Sequence, residues 1–400
     1  MFNTRIICIN TVNDAEEEIR KIGVEDGAIP WLLPKALYFT VKVENVSPFA
    51  ANVIKQEMLS KGGDAAVNRG VANCSVEKSD ILIMGTYGQY MKLLSKLKLQ
   101  SGSLKEIAGD IERTLKNAQG NGPGLFECGG FRLPMRRKTY VMGILNITPD
   151  SFSDGGKYDD TEAAVKRAKE MVEDGAHMID VGGESTRPGY EPVDPSEEVR
   201  RVVPVIKRLS AEISVPISID TSKAVVAREA LKAGAHIVND IWGLQGDKAM
   251  AGVVSDYKAG VIMMHNKNDK DYKDLMGDII KFLLESISIA EKAGVKRECM
   301  AVDPGIGFGK TAEDNIGVLR RLKELESLGL PVLLGTSRKS FIGNILDLPV
   351  GERLEGTAAT VSLGIAGGAD IVRVHDVKEM ARVARVADSV VRLRNTGLEE

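Results

Sequence analysis

The sequence predicts an α/β protein that ends in an eight-stranded (β/α)₈ TIM barrel and begins with a small α+β region. Three observations lead to this prediction. Short apolar segments alternate with amphipathic segments from about residue 139 onward, which is typical of a parallel sheet covered by helices. Glycines such as Gly175, Gly234 and Gly368 stand between a helical segment and the next apolar one. The third observation is an internal repeat.

The repeat joins three segments, 175–180, 234–239 and 368–373. Each reads Gly-Ala, a polar residue, two apolar residues and a second polar residue. Repeated β-α units favour parallel strands, and eight of them over roughly 260 residues fit a closed barrel. An open doubly wound sheet is the alternative, although no GxGxxG follows the first strand. The predicted strands are 139–145, 177–182, 216–220, 236–239, 260–264, 300–303, 331–335 and 370–374.

A turn-rich break at 117–124 separates the two regions. We predict an α+β accessory domain over 1–122, a linker and barrel-bottom hairpin over 123–137, and the barrel over 138–396. No catalytic constellation stands out in the first region, so a structural, oligomerising or partner-binding role is expected there. Its predicted strands are 5–10, 36–43 and 80–84, and its predicted helices are 14–22, 48–61, 89–96 and 103–115.

The composition is that of an ordinary globular enzyme, with 43% hydrophobic and 27% charged residues. A net charge of −3 gives no field that would attract nucleic acid. The four scattered cysteines argue against a zinc site and a disulfide scaffold, and favour a reducing compartment. No apolar run approaches the length of a membrane span. A cytoplasmic location without a membrane partner is expected.

Polar groups follow every predicted barrel strand. A single polar residue after a strand is often a turn former, but polar residues at all eight ends indicate a site, because the carboxyl ends of barrel strands meet on one face. The residues at these ends are Asn146, Asp180 with Glu184, Asp220, Asn239 with Asp240, His265, Asp303, Ser337 to Lys339, and Arg373 with His375.

Two chemistries are suggested by these residue types. Carboxylates accept paired N–H donors and Asn supplies a donor and an acceptor, so Asp220, Asn239 and Asp303 suit a flat amino-substituted heterocycle. Cationic groups suit a phosphate-bearing end of the same ligand. The candidate cations are Lys339, Arg373 and His375.

Two further features of the loops bear on cofactors. Asn146 and Asp154 could hold Mg²⁺, a hard ion that prefers oxygen ligands and substrate phosphates. The segment 305–311 contains a Gly-Lys-Thr sequence like that of a P-loop, but its glycine spacing is wrong for nucleotide binding.

Eight segments of the second region together resemble bacterial dihydropteroate synthase. The most specific are Asn-Ile-Thr-Pro-Asp-Ser-Phe-Ser-Asp-Gly-Gly at 146–156 and Gly-Glu-Ser-Thr-Arg-Pro-Gly at 183–189. The resemblance covers about 130–395, and 1–129 is the departure from the compact form of the family. The segments are 142–156, 182–189, 219–221, 238–241, 264–265, 303–308, 335–340 and 373–376.

The resemblance implies a pterin-binding TIM barrel that condenses 6-hydroxymethyl-7,8-dihydropterin diphosphate with p-aminobenzoate, giving 7,8-dihydropteroate and pyrophosphate. It implies an SN1-like ionisation with Mg²⁺-pyrophosphate leaving, Mg²⁺ as cofactor and a homodimer. The implied pterin residues are Asp220, Asn239, Met264, Asp303 and Lys339. The implied diphosphate residues are Asn146, Arg373 and His375, with Asn146 also at the metal. The implied p-aminobenzoate residues are Thr186, Arg187, Pro188, Phe308 and Ser340. The implied catalytic residues are Asp154, Asp220, Asp303, Lys339 and Arg373.

Two other functions are compatible with a pterin-binding barrel. A pterin-dependent methyltransferase would need the pterin half of the site but not the diphosphate half. A non-catalytic pterin-binding scaffold would be expected to lack some of Asp154, Arg187, Lys339 and Arg373, all of which are present.

Overall fold

The structure, a computed structural model, describes residues 2–9, 11–120, 122–147, 157–184 and 193–392, with backbone only for 157–160. Two compact units make up the chain, Met1–Asn121 and Gly122–Glu400. None of the helices within the described ranges is long and apolar enough to cross a membrane.

The first unit is a three-stranded antiparallel sheet with helices, in the strand order β1-β3-β2. In β3 the side chains of Ile81 and Ile83 are buried in the core and that of Leu82 between them is exposed, the period expected of a half-buried strand. Thr86 ends β3 and caps α4 in a capping box with Gln89. The elements are α1 Val12–Lys21, α2 Ile29–Ala36, β1 Tyr38–Val46, α3 Pro48–Leu59, β2 Asp64–Val67, β3 Ser79–Thr86, α4 Tyr87–Leu97 and α5 Ser103–Ala118.

The strand predicted at 5–10 is wrong for the residues that can be compared. Residues 2–9 contain no strand, and residue 10 lies outside the described ranges. The side chains of Phe2 and Ile6 are 97% and 96% exposed, so the apolar alternation there has no sheet or helix to cover it. Alternation predicts a strand only where a partner strand exists, and the sheet takes its third strand from Asp64–Val67 instead.

The predicted barrel is confirmed in the second unit. Its parallel strands run in the order β11-β10-β9-β8-β7-β6-β13-β12, and a parallel bridge between Val302 and Val332 closes the ring. The elements are β4 Leu125–Cys128, β5 Phe131–Pro134, β6 Tyr140–Asn146, α6 Lys157–Glu173, β7 Met178–Gly182, α7 Pro195–Glu212, β8 Ile217–Asp220, α8 Ala224–Lys232, β9 Ile237–Asp240, α9 Met250–Asp256, β10 Gly260–Met264, α10 Leu275–Lys292, β11 Met300–Asp303, α11 Ala312–Arg320, β12 Leu333–Leu334, α12 Ser340–Leu346, α13 Leu354–Ala366, β13 Ile371–Val374 and α14 Val377–Val391.

The amino-terminal end of the barrel is closed by the hairpin β4–β5. Phe126 and Cys128 of β4 are buried in one apolar cluster with Met142, Met178 and Ile262 from inside the barrel. These residues fill that end of the barrel with apolar side chains. The opposite, carboxyl-terminal end is therefore the one available for a polar site.

The internal repeat has a shared structural role at the amino-terminal end. His177 donates its backbone N–H to the carbonyl of Val141 and accepts the Val141 N–H at its ring Nδ1, at 2.8 and 3.1 Å. His236 makes the same two bonds with Ile217. Asp370 makes the corresponding bonds with Val332: its backbone N–H donates to the Val332 carbonyl, and its carboxylate accepts the Val332 N–H. In all three repeats the polar residue satisfies a backbone N–H of the preceding strand.

Candidate functional site

The polar residues expected at the pterin ring meet at the carboxyl-terminal end of the barrel. Asp220, Met264 and Asp303 are the last residues of β8, β10 and β11. Asp220 pairs in register with Asn239 of β9, and Met264 pairs with Asp303. All four side chains are buried. Adjacent parallel strands thus bring two carboxylates, one amide and one thioether to the same end of the ring.

Arg373 of β13 reaches across the barrel to two carboxylates. Its Nε donates to Oδ2 of Asp180 and its Nη2 donates to Oδ2 of Asp220, both at 2.6 Å. Nδ2 of Asn239 donates to the same Asp180 oxygen at 3.0 Å. Strand β6 separates β13 from β7, so the contact spans the interior rather than joining neighbours. One guanidinium therefore orients Asp180 and Asp220 together.

The second oxygens of these carboxylates are left with unused hydrogen-bonding capacity. Among the described residues, Oδ1 of Asp180 and Oδ1 of Asp220 are buried and have no hydrogen-bond partner. Burial raises the pKa of Asp220, Arg373 opposes the rise, and Asp180 adds to it. Burial lowers the pKa of Arg373, but the two carboxylates outweigh it and the pKa is raised. Buried acceptors without partners suit a ligand that brings N–H donors.

Asp303 is a third buried acid, and in the order of the strands it lies on the other side of Asn239 from Asp220. Its Oδ1 accepts the backbone N–H of Gly305 at 2.7 Å. Burial raises the pKa of Asp303 to about 6, although the Gly305 N–H and the Lys339 charge both lower it. The carboxylate is therefore mostly ionised at neutral pH and can be protonated by mild acid.

The loop after β11 brings an aromatic ring to Lys339. The ammonium of Lys339 lies 4.2 Å from the centroid of the Phe308 ring, within cation–π range. Gly305 has φ +72°, and a Cβ there would lie 1.9 Å from the backbone oxygen of His265. The tight turn at Gly305 thus lets the loop fold back over β10 and present Phe308.

The segment after β12 is held by side chains from later elements. Oγ of Ser337 lies 2.9 Å from Nδ1 of His375 and accepts the His375 N–H. Nε of Arg338 donates to Asp376 at 3.0 Å, which ties this guanidinium to the residues that follow β13. Nη1 of Arg353 donates to the backbone oxygen of Arg338 at 3.0 Å. These bonds fix the backbone that carries Lys339 and leads into Ser340, the exposed first residue of α12.

The remaining predicted site residues divide into two groups. Asn146 is the half-buried last residue of β6 and pairs in register with Gly182. No group of three or more His, Cys, Asp or Glu side chains within the described ranges is arranged to hold a metal. The predicted site residues that lie outside the described ranges are Asp154, Thr186, Arg187 and Pro188.

Three residues for which the sequence predicted no specific role have prominent contacts in the structure. Asp180, expected at a strand end, is the third of the five residues of β7, and its pairing with Arg373 depends on a contact across the ring. Lys223 donates to Glu198 at 2.6 Å and also to Glu184, so both carboxylates are paired within the protein. Lys310, noticed only for its P-loop-like setting, is buried. No local pattern signals any of these partners.

Comparison with known proteins agrees with the geometry. Residues 142–375, more than half of the chain, match the family model described as pterin binding enzyme. A dihydropteroate synthase of Bacillus subtilis is 56% identical over 259 residues, which cover 65% of this chain and 91% of that protein. A crystal structure of the dihydropteroate synthase of Clostridium difficile with pteroic acid has 56% identity and a TM-score of 0.64. It covers 65% of this chain and 99% of that one.

The first unit also has a counterpart. A probable bifunctional folylpolyglutamate synthase/dihydropteroate synthase of Halobacterium salinarum is 41% identical over 388 residues, 95% of this chain and 46% of that protein. The likeness therefore extends beyond the barrel in that relative. On the family match and the near-complete coverage of the bacterial relatives, this chain belongs to the dihydropteroate synthase family, the pterin-binding transferases of folate biosynthesis.

Proposed function

We propose that this chain condenses 6-hydroxymethyl-7,8-dihydropterin diphosphate with p-aminobenzoate by ionisation of the pterin substrate. The observation that carries the proposal is the cluster of Asp180, Asp220 and Asn239 around Arg373, with two buried carboxylate oxygens that lack donors among the described residues. An amino-substituted pterin ring supplies N–H donors of the kind that such oxygens accept.

The buried acids and their neighbours bind the pterin ring. Asp220 and Asp303 accept ring N–H groups, Asn239 gives a donor and an acceptor, and Met264 packs against the ring. Because Asp303 has a pKa of about 6, it is ionised at neutral pH and can balance a positive ring. Lys339 lies beside the ring and links it to the p-aminobenzoate side through Phe308.

Ionisation breaks the bond between the pterin methylene carbon and the diphosphate oxygen, and the electron pair leaves with pyrophosphate. Arg373 and His375 stabilise the charge that develops on the leaving group, while Asp220 and Asp303 stabilise the cation. The amine of p-aminobenzoate then forms the C–N bond and loses a proton. No strong general base is needed because this amine is already nucleophilic.

Mg²⁺ is the proposed cofactor, and Asn146 is the residue proposed to reach it. Mg²⁺ keeps several waters and binds through a few protein oxygens together with substrate phosphates. One half-buried amide oxygen at the end of β6 fits that pattern. When bound, the ion would neutralise charge on the departing pyrophosphate.

The p-aminobenzoate pocket is proposed to combine Phe308 and Ser340 with Thr186, Arg187 and Pro188. In the same proposal Asp154 helps to exclude water from the ionised intermediate, which water would otherwise capture. Replacing Arg187 by Ala should raise the KM for p-aminobenzoate far more than the KM for pterin diphosphate. Equal rises in both constants would remove Arg187 from the pocket.

The first unit is proposed to be dispensable for the chemistry, because 65% of this chain is enough to cover 91% of the B. subtilis relative. A protein that begins at Gly122 should fold and form dihydropteroate. A dead or insoluble truncation would mean that Met1–Asn121 completes the barrel or its site. A cytoplasmic homodimer belongs to the same proposal, and light scattering of the purified chain tests the dimer.

Product mass spectrometry tests the function directly. Purified protein is mixed with dihydropterin diphosphate, p-aminobenzoate and Mg²⁺, and Lys339→Ala is run in parallel. Dihydropteroate from the unaltered chain alone would establish both the activity and its site. Tight binding of the pterin diphosphate without product would instead indicate a pterin-binding scaffold. Transfer of a methyl group from a reduced methylpterin would indicate the methyltransferase.

A further inference from the structure

Two lysines contact the loop 304–309. The ammonium of Lys339 lies over the Phe308 ring, and its Cδ lies 3.0 Å from the position of a Cβ on Gly307. Lys310 is buried against the loop and is only 5% exposed. Lys310 therefore cannot act as the phosphate-binding lysine that the Gly-Lys-Thr sequence suggests, since that role requires access to a ligand.

The ammonium of Lys310 has three acceptors within hydrogen-bonding distance. Nζ donates to the backbone oxygens of Gly305 and Phe308 at 3.0 and 3.2 Å, and to Nδ1 of His265 at 2.9 Å. An ammonium has three N–H donors, so these contacts use all of them. Two of the acceptors lie on the loop after β11 and the third follows β10. Lys310 thus ties both ends of the turn that carries Phe308 to the neighbouring strand end.

The electrostatics fit this arrangement. Burial, and then the charge of Lys310, lower the pKa of His265 to about 3, so the ring is neutral at pH 7 and Nδ1 can accept. Burial lowers the pKa of Lys310 to about 7, while Asp303 and Asp314 raise it. A buried lysine held with a neutral imidazole and two carbonyls carries a cost to stability. What Lys310 contributes in return is three hydrogen bonds that link the loop to His265.

We propose that Lys310 is a positioning residue for p-aminobenzoate: it holds the 304–309 turn so that Phe308 faces Lys339. The proposal rests on the proposed synthase function and adds to it a residue that does not touch substrate. Asp303 keeps its own bond to Gly305 N, so the pterin side of the loop is anchored separately. Loss of Lys310 should therefore raise the KM for p-aminobenzoate more than the KM for dihydropterin diphosphate.

The test compares Lys310→Met, which keeps the chain length but removes the donors, with Lys267→Met. The ammonium of Lys310 lies 5.9 Å from the centroid of the Tyr272 ring, and that of Lys267 lies 4.7 Å from it but pairs with Asp269. The backbone and Cβ of Lys267 lie against Gly309, and Met keeps both of them. We expect Lys310→Met to raise the KM for p-aminobenzoate about tenfold or more, the factor for losing one hydrogen bond to a charged group. The KM for dihydropterin diphosphate should change by less than about threefold, a small fraction of that energy. Lys267→Met should change neither constant.

Three results would overturn the proposal or its basis separately. If the unaltered chain forms no dihydropteroate, the proposed function fails. If the unaltered chain is active and Lys310→Met changes neither KM, or both equally, Lys310 is only structural and the proposal is wrong. If Lys310→Met does not fold, Lys310→Gln retains two donors without the charge and should raise the same KM by a smaller factor. A folded Lys310→Gln with unchanged KM for p-aminobenzoate would also refute it.

Discussion

The two ends of the barrel use buried polar groups in opposite ways. At the amino-terminal end, Asp388 accepts both the N–H and the hydroxyl of Thr139, at 2.6 and 2.7 Å, and the ring of His177 accepts a strand N–H. At the carboxyl-terminal end, Asp180 and Asp220 each keep one buried oxygen without a partner among the described residues. The first set stabilises the fold, and the second is available to a ligand at a cost in stability.

The two ends of the barrel therefore differ in what their buried polar groups contribute, which is stability at one end and ligand binding at the other. A buried group with its partners in place adds to the free energy of unfolding, whereas a buried group awaiting a ligand subtracts from it. Replacing a buried acid that awaits a ligand should therefore stabilise the fold, whereas replacing a buried group that has its partners in place should destabilise it.

Replacing Arg373 by Met should have the largest effect, because it leaves Asp180 and Asp220 buried without their countercharge. We expect a loss of about 3 kcal/mol in the free energy of unfolding and a loss of about 10³-fold in turnover. Urea unfolding and single-turnover product formation measure the two. Lys339→Ala is the control, since it should lose turnover with little loss of stability. An Arg373→Met protein as stable as the unaltered chain would contradict the shared ion pair.

Replacing Asp180 by Asn should lower kcat/KM for dihydropterin diphosphate by about 10- to 100-fold, the value of a hydrogen bond to a charged group. The change removes the charge that orients Arg373 while leaving an acceptor for Asn239. The matched control is Asp240→Asn. Both oxygens of Asp240 already accept backbone N–H groups, of Trp242 and Leu244. That control should lose stability rather than kcat/KM, and similar kinetic losses in both variants would refute a specific role for Asp180.

Replacing Asp303 by Asn should reduce activity and yet stabilise the fold. The folded pKa of about 6 exceeds the ordinary value of 3.8, so ionisation of Asp303 costs folding free energy as the pH rises through 6. The gain should reach up to about 3 kcal/mol above pH 7 and vanish below pH 4. Unfolding curves at several pH values measure it.

The control for Asp303 is a carboxylate at the other end. Asp388→Asn weakens the bonds to Thr139 and the ion pair with Arg392. It should lower the free energy of unfolding by about 1–2 kcal/mol without affecting the KM of either substrate. Stabilisation by both substitutions, or by neither, would remove the proposed difference between the two ends.

Sequence alone was sufficient for much of this architecture, because each barrel strand is a local apolar run with a polar residue at its end. The predicted strand at 331–335 shortened to Leu333–Leu334, but its order in the ring was right. The contact of Arg373 with Asp180 was not foreseen, since it spans the ring between strands that are not neighbours. The inward orientation of Lys310 depends on the turn at Gly305, which a pattern of residue types does not specify.

The smallest effect should come from acid acting on the repeated histidines. Burial lowers the pKa of His177 to about 4 from 6.5, and burial also lowers that of His236. The unfolded chain binds more protons than the folded one between these values, so stability should fall as the pH drops from 6.5 towards 4. For a half-buried ring such as that of His177 the loss is about 1–2 kcal/mol. His177→Asn should flatten this acid limb in chemical unfolding while leaving turnover at pH 7.5 unchanged, and His236→Asn should act in the same direction. If stability still falls between pH 6.5 and pH 4 after both substitutions, the histidines of the repeat do not cause the fall, and the groups that do lie elsewhere in the chain.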